Sequence, residues 1–233
     1  MNSKYRYLIP NGITFISLTC GIISILLSAN GTFIPAGALI LASFVLDLFD
    51  GFSARMLKAG SEFGLQLDSL VDMVSLGVAP TVLVFKFIEG TDVPMILVWP
   101  TSVLVALAGA FRLARFNLLP PKETGNKDSA GLTISSGGAS IALAVLADIV
   151  LPNLIEIPYM FYIPYLIGIS LLMVSRIAFP SFFWVFSNRL RTALLIILFT
   201  ITIAQYSFFN AWFFWNNVYL GVSLARAGYK SLR

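Results

Sequence analysis

The 233-residue sequence contains no histidine, one cysteine and few charged residues, which make up 11% of the chain. The absence of histidine excludes Ser-His and Cys-His nucleophile pairs, histidine-based phosphodiesterase chemistry and histidine zinc sites, and it leaves carboxylates as the available bases. A disulfide within the chain is excluded because Cys20 has no partner. Hydrophobic residues are 58% of the sequence and the mean hydropathy is +0.88. This composition indicates a polytopic membrane protein rather than a soluble fold.

Long apolar runs predict an all-α membrane bundle of about eight transmembrane helices, which form a single domain over residues 1–233. The predicted spans are residues 13–29, 33–57, 61–88, 95–118, 130–151 and 158–179, and two more within 191–224 that are separated near 207–210. A basic start before an apolar run also fits a signal peptide, but the run is long for one and lacks a clear small-x-small site, so we interpret it as the first span. Seven spans are the alternative count.

The distribution of loop charges favours eight spans. With that count, all fifteen Lys and Arg residues except Lys86 lie on one side, and the opposite loops carry Glu89, Asp92, Asp148 and Glu156. The positive-inside rule then places both termini in the cytoplasm and predicts a multi-pass protein of the cell membrane. This topology accounts for the net charge of +4, and no nucleic acid is expected as a partner.

Four aspartates, Asp47, Asp50, Asp68 and Asp72, interrupt this apolar sequence. An aspartate at the bilayer centre costs about 2.5–3.5 kcal/mol, so these carboxylates must be paired, metal-bound or facing water. Asp47 and Asp50 share a helix face at a spacing of i, i+3, and Asp68 and Asp72 share one at i, i+4. If the two helices fold back at residues 59–60, the acids meet in two layers, Asp47 with Asp72 and Asp50 with Asp68.

The expected closeness of these carboxylates predicts a metal site, because like charges repel unless a cation lies among them. Hard oxygen ligands suit Mg²⁺, Mn²⁺ or Ca²⁺. Four carboxylates can hold two divalent cations about 3.5–4 Å apart, an arrangement that stabilises a phosphoryl displacement. We therefore expect two divalent cations, Mg²⁺ or Mn²⁺, with Ca²⁺ as a further occupant, in a site open to the cytoplasm.

The aspartates belong to a longer pattern, Asp47-x2-Asp50-Gly51-x2-Ala54-Arg55-x8-Gly64-x3-Asp68-x3-Asp72. This pattern resembles the signature of the CDP-alcohol phosphotransferases at all eight fixed positions. The resemblance implies that the first three aspartates bind metal and that Asp72 is the general base, with a metal contact of its own. Since members of the family are typically dimers, it also implies a homodimer.

The resemblance further implies a site for the cytidine diphosphate group of a CDP-lipid. The fixed residues that shape this site are Gly51, Ala54, Arg55 and Gly64. Glycines allow close approach of a ligand, and an arginine can pair with phosphate oxygens. In the family a Pro-Asn-x-x-Thr opening faces the nucleotide, which here assigns Asn11 and Thr14 to the same site. The alternative for these two residues is a capping role at the start of the first helix.

Arg112 and Arg115 lie at the cytoplasmic end of the fourth predicted span. They are either topology anchors that contact lipid phosphates or a guanidinium fork that binds the carboxylate of an amino-acid acceptor. Four segments resemble the phosphatidylserine synthase branch of the family: residues 61–64, 68–70, 77–80 and 112–117. Residues 131–136 are less similar to the proline-containing segment of bacterial members. The resemblance thus implies transfer from CDP-diacylglycerol or CDP-archaeol to L-serine.

Two other functions stay open on the sequence. The same chemistry could serve another alcohol, such as glycerol 3-phosphate or inositol phosphate, with Arg112 and Arg115 around its phosphate. An ion transporter would also explain intramembrane carboxylates. It would leave Gly51, Arg55 and Gly64 unexplained, and the duplicated halves of many transporters are not found in the sequence.

Overall fold

The computed structural model describes residues 7–57, 60–118, 129–150, 158–179 and 189–231, which are mostly helical, as predicted. The helices are α1 (Leu8–Ala29), α2 (Phe33–Met56), α3 (Glu62–Asp72), α4 (Ala79–Ile88), α5 (Met95–Asn117), α6 (Ile134–Val150), α7 (Tyr162–Val174), α8 (Arg189–Gln205) and α9 (Phe208–Ser231). The other elements are a π-helical segment, Met73–Val78, a 3-10 turn, Tyr159–Phe161, and two short strands, β1 (Ser129–Ala130) and β2 (Ala178–Phe179).

Four helical units are long and apolar enough to cross a membrane: Leu8–Ala29, Phe33–Met56, Glu62–Ile88 and Met95–Asn117. The shorter apolar helices in the described ranges are Ile134–Val150, Tyr159–Val174 and Thr192–Gln205. The all-α, multi-pass architecture is therefore confirmed. The break between α8 and α9 also falls where the sequence predicted it, but the count of eight spans and the side of the termini stay predictions.

The predicted span 130–151 begins later than expected, at Ile134. Gly131 has a φ of 81°, a left-handed conformation that interrupts a helix. Thr133 then caps the helix, because its hydroxyl accepts a hydrogen bond from the Ser136 amide at 3.1 Å. Residues 131–133 are therefore a turn that follows β1 rather than helix, and residue 151 lies outside the described ranges.

The predicted span 158–179 is also shorter, since α7 ends at Val174. The chain leaves the helix in an extended conformation at Ser175, with ψ of 165°. Beyond it β2 pairs with β1 in antiparallel register, with Ala178 opposite Ala130. This strand pair was not predicted, and it ties the start of α6 to the end of α7.

A π-helical segment interrupts the helix that the sequence predicted over residues 61–88. Pro80 has no amide hydrogen, so the α-helical hydrogen bond to the Leu76 carbonyl cannot form. The helix accommodates this gap with the wider turn at Met73–Val78. The π turn follows Asp72 directly, and it therefore sets the orientation of α3 relative to α4.

Small residues hold the π segment between α1 and α6. A Cβ on Gly21 of α1 would lie only 2.6 Å from the Ser75 Cα, and the Ser75 hydroxyl donates a hydrogen bond to the Ser17 carbonyl at 3.0 Å. On the other side, a Cβ on Gly138 of α6 would collide with the Leu76 carbonyl oxygen. These contacts require glycine, so α3 enters the bundle at a defined position.

The hydrophobic core surrounds α6, which contacts α2, α4, α7 and α9. Most α6 residues are buried, and Ile141, Leu143 and Leu146 are completely so. Leu83 of α4 and Leu166 of α7 belong to the same buried cluster. Because α6 is buried on all sides, its position is fixed by its neighbours. The first turn of α6 lies next to Asp47.

Candidate active site

The four aspartates lie in the C-terminal half of α2 and the C-terminal half of α3. Asp47 and Asp50 are on α2, and Asp68 and Asp72 are on α3. Oxygen atoms of Asp47, Asp50 and Asp68 all lie within 4.8 Å of one another. Three carboxylates at this separation supply the hard oxygen donors that a divalent cation requires, so the residues present fit a metal site.

Asp72 lies outside that group of three but next to it. It lies beside Asp47 and is only 7% exposed. The structure therefore brings Asp47 to Asp72 and Asp50 to Asp68, as the helical spacing predicted. The individual roles of the four residues stay predictions.

Thr14 and Asn11 connect α1 to this cluster. The Thr14 hydroxyl lies 2.9 Å from Asp50 Oδ2 and 3.0 Å from the Pro10 carbonyl oxygen, and its single hydrogen can serve either acceptor. Asn11 Oδ1 lies 3.6 Å from the position of a Cβ on Gly64. Because α1 begins at Leu8, both residues lie inside the helix. The alternative capping role is therefore wrong.

The fixed residues of the predicted nucleotide site lie beside Asp50. The Arg55 Nη1 atom is 3.6 Å from the position of a Cβ on Gly51, one turn earlier on α2. The positive charge of Arg55 also acts on Asp50. Ala54 is half-buried on the same helix. The start of α3 completes the group, since the Gly64 amide donates a 3.0 Å hydrogen bond to the capping Ser61 hydroxyl.

Arg112 places a buried positive charge next to the acids. Its side chain is 8% exposed, and its charge interacts with Asp47, Asp68 and Asp72. The guanidinium carbon also lies 5.3 Å from the centre of the Phe116 ring. A buried position beside the carboxylates is unsuited to a contact with lipid phosphates at the membrane surface. It suits the alternative in which Arg112 holds an anionic group of a substrate.

Arg115 has different contacts, although it is only one turn away. Its guanidinium donates hydrogen bonds to the backbone carbonyls of Val174 and Ala130, both at 2.7 Å. It also donates to the carbonyls of Ser175 at 3.0 Å and Met173 at 3.4 Å. Arg115 therefore contacts the end of α7 and strand β1, and its predicted role as an acceptor ligand stays a prediction.

Two contacts near the cluster were missed by the sequence analysis. Ser135, in the first turn of α6, lies beside Asp47 and is 7% exposed. Asn117 at the end of α5 donates a 3.1 Å hydrogen bond to the Ser69 hydroxyl of α3, next to Asp68. The run of Ser and Gly from Ser135 to Gly138 was the available signal for the first contact. It lay in a segment that resembled the family less.

The fold and site define a class of protein: a multi-pass helical membrane protein with a cluster of buried and half-buried carboxylates beside a buried arginine. Comparison with known families gives the same result. Residues 7–165 match the model of the family described as CDP-alcohol phosphatidyltransferase, and the chain belongs to that family. The family that the eight-position pattern resembles is therefore confirmed as the family of this chain.

Curated relatives share the greater part of the chain. The CDP-diacylglycerol–serine O-phosphatidyltransferase of Helicobacter pylori is 33% identical over 179 residues, which are 76% of this chain and 73% of the relative. The enzyme of the same name from Bacillus subtilis is 32% identical over 75% of this chain and 90% of its own length. The archaetidylserine synthase of Methanothermobacter thermautotrophicus is 34% identical over 74% of this chain and 69% of its own length.

Proposed function

We propose that this protein transfers a phosphatidyl group from a CDP-lipid to L-serine and releases CMP. The lipid is CDP-diacylglycerol or its ether-lipid equivalent, CDP-archaeol. Family membership supports the chemistry, and the names of the curated relatives support serine as the acceptor. This proposal also accounts for the signature residues that an ion transporter would leave unexplained.

The observation that carries the proposal is the arrangement of the four aspartates with Arg112. Asp47, Asp50 and Asp68 are close enough to share a cation, and Asp72 and Arg112 adjoin them. We assign Asp47, Asp50, Asp68 and Asp72 as ligands of two divalent cations, Mg²⁺ or Mn²⁺. When bound, these cations would neutralise the diphosphate of the CDP-lipid and stabilise the negative charge on departing CMP.

Asp72 is the general base in this proposal. It accepts the proton of the serine hydroxyl, and the serine oxygen then bonds to the phosphorus on the lipid side of the diphosphate. The bond from that phosphorus to the bridging oxygen breaks, and CMP leaves with the electron pair. Arg112 holds the serine carboxylate, because a planar guanidinium pairs with a carboxylate through two parallel hydrogen bonds.

The nucleotide end of the CDP-lipid occupies the region where α1, α2 and α3 meet. The residues assigned to it are Asn11, Thr14, Gly51, Ala54, Arg55 and Gly64. Support comes from the nearness of Asn11 to Gly64 and of Arg55 to Gly51. Arg55 would pair with phosphate oxygens, and the glycines allow close approach of the ligand.

The cellular setting follows from the charge distribution. We propose that the protein lies in the cell membrane with the site open to the cytoplasm, where soluble serine is supplied and soluble CMP is released. The basic loops support this orientation. A single domain over residues 1–233 and a homodimer are also proposed, the dimer on the resemblance alone.

The test is CMP release by purified protein in detergent with CDP-diacylglycerol and Mn²⁺ or Mg²⁺. Serine, glycerol 3-phosphate and inositol phosphate are offered separately. Metal-dependent release with serine alone is the expected result. Release only with a phosphorylated alcohol would overturn the choice of acceptor, and no metal-dependent release with any alcohol would overturn the proposed chemistry.

A further inference from the structure

Arg115 lies where three parts of the chain come together: the end of α5, the end of α7 and the turn before α6. The last carbonyls of a helix have no partners within it and must find donors elsewhere. In α7 Ser175 supplies local donors to Leu171 and Leu172, and further donors come from other segments. The Leu132 amide donates to the Leu172 carbonyl at 2.9 Å, and Arg115 donates to Met173, Val174 and Ser175.

A cation at this position is favoured electrostatically as well, because the carbonyl end of a helix carries partial negative charge. The same guanidinium also donates to Ala130 in β1, and the next amide, that of Gly131, donates to the Ile177 carbonyl at 2.8 Å. Strand β1 and the turn at residues 131–132 are thus attached to the end of α7 through Arg115 and two backbone hydrogen bonds. We call these contacts the Arg115 clamp.

The clamp can form only with glycine at position 131. Gly131 has a φ of 81°. A Cβ there would lie 2.7 Å from the carbonyl oxygens of Met173 and Ser175 and 2.9 Å from Arg115 Nη2. The missing side chain at Gly131 therefore leaves room for the hydrogen bonds that Arg115 donates to Met173 and Ser175.

The turn leads directly into the first turn of α6, which lies beside α2 and the π segment that follows α3. Ile134 is completely buried, and its Cδ1 lies 3.2 Å from the position of a Cβ on Gly77 in the π segment that follows Asp72. The next residue, Ser135, lies beside Asp47. A displacement of the turn would therefore move the neighbours of Asp47 and of the π segment together.

We propose that Arg115 is a positioning residue, which holds the start of α6 against the aspartates through four backbone carbonyls, and that it is not a ligand of the acceptor. This inference rests on the proposed function, and it leaves Arg112 as the guanidinium that binds serine. The two arginines of the predicted fork would then have separate tasks.

The test compares Arg115→Lys with Arg112→Lys, with serine varied at saturating CDP-diacylglycerol and Mn²⁺. A lysine nitrogen cannot reach all four carbonyls, because its donors radiate from one atom. Misplacement of reacting groups by about 1 Å can cost about 100-fold, so we expect Arg115→Lys to lower kcat by about 10- to 100-fold with little change in KM for serine. Arg112→Lys should instead raise KM for serine. Arg176→Lys, an exposed arginine two residues beyond Val174, is the matched control.

A second measurement does not depend on activity. Thermal unfolding in detergent is compared for Arg115→Lys, Gly131→Ala and the double variant. Both residues are needed for the same hydrogen bonds, so each change should lower the unfolding midpoint. The midpoint of the double variant should decrease by less than the sum of the two single decreases. If neither variant can be purified folded, Ser135→Ala retains the kinetic test, because Ser135 lies beside Asp47 at the start of α6. This change should lower kcat without raising KM for serine.

The outcomes separate the two proposals. A wild-type protein without serine-dependent CMP release would overturn the proposed function, whatever the unfolding data show. A selective rise in KM for serine in Arg115→Lys, with kcat retained, would overturn the positioning role. An unchanged unfolding midpoint, or additive effects of Arg115→Lys and Gly131→Ala, would overturn the clamp.

Discussion

Thr14 offers a sharp test of the metal site. Its hydroxyl lies 2.9 Å from Asp50 Oδ2, so Thr14 contacts a proposed metal ligand but is not itself one of the four ligands. Thr14→Val keeps the shape of the side chain and removes only the donor. A hydrogen bond to a charged group contributes about 1.5–3 kcal/mol, which corresponds to about 10- to 150-fold in an equilibrium constant. Substitutions that remove such a support from a metal ligand typically lower metal affinity by about 10- to 100-fold.

The assay is the Mn²⁺ concentration that gives half-maximal CMP release at saturating CDP-diacylglycerol and serine. We expect Thr14→Val to raise it by about 10-fold or more, and Thr14→Ser, which keeps the hydroxyl, to restore it. Thr19→Val is the matched control, since Thr19 lies on the same helix and donates to the Phe15 carbonyl at 2.9 Å, but it is exposed. An unchanged Mn²⁺ requirement in Thr14→Val, or an equal change in Thr19→Val, would refute the reasoning.

The remaining predictions concern the acceptor and the helix packing. Arg112→Lys should raise KM for serine by about 10-fold or more while CDP-diacylglycerol binding stays unchanged, because a lysine lacks the two-pronged geometry that matches a carboxylate; equal losses for both substrates would contradict this. Gly21→Ala should lower stability by about 1–3 kcal/mol, because its Cβ would lie 2.6 Å from the Ser75 Cα. Gly12→Ala is the matched control in unfolding experiments, since a Cβ there meets nothing within 4 Å. Equal free energies of unfolding for the two glycine variants would show that the close packing of α1 on the π segment does not contribute to stability.

The helices themselves could be predicted because apolar runs of membrane length carry a strong signal. The starts of α2 and α5, at Phe33 and Met95, agree with the sequence prediction. The two spans that were predicted too long depend on tertiary contacts. The end of α7 is determined by donors from Arg115 and residues 131–132, which lie far away in sequence. No local pattern reveals such donors.

The candidate site shows the same division. Helical periodicity places each pair of aspartates on one face of α2 or α3. Bringing the two pairs together also required the assumption that the chain folds back at residues 59–60, and residue 59 lies outside the described ranges. The contacts of Ser135 with Asp47 and of Thr14 with Asp50 join different helices, so they required the packing of the bundle. The π turn after Asp72 could not be predicted either, although Pro80 signals an irregularity in that helix.

The two arginines show where a motif is insufficient. Arg112 and Arg115 are three residues apart and looked equivalent in the sequence. In the structure one is buried beside the acids, and the other donates to four backbone carbonyls. The two arginines have different contacts because their side chains point in different directions and because Arg115 reaches the last carbonyls of α7. Sequence spacing predicts neither.

The most direct test of the account compares wild-type protein with Asp72→Asn. Serine-dependent CMP release and CDP-diacylglycerol binding are measured on the same preparations with Mn²⁺ present. Because asparagine keeps the size of the side chain but cannot accept the serine proton, the account predicts that release is lost while binding of the CDP-lipid survives. Retained release with weakened binding would contradict the role of Asp72 and, with it, the proposed mechanism.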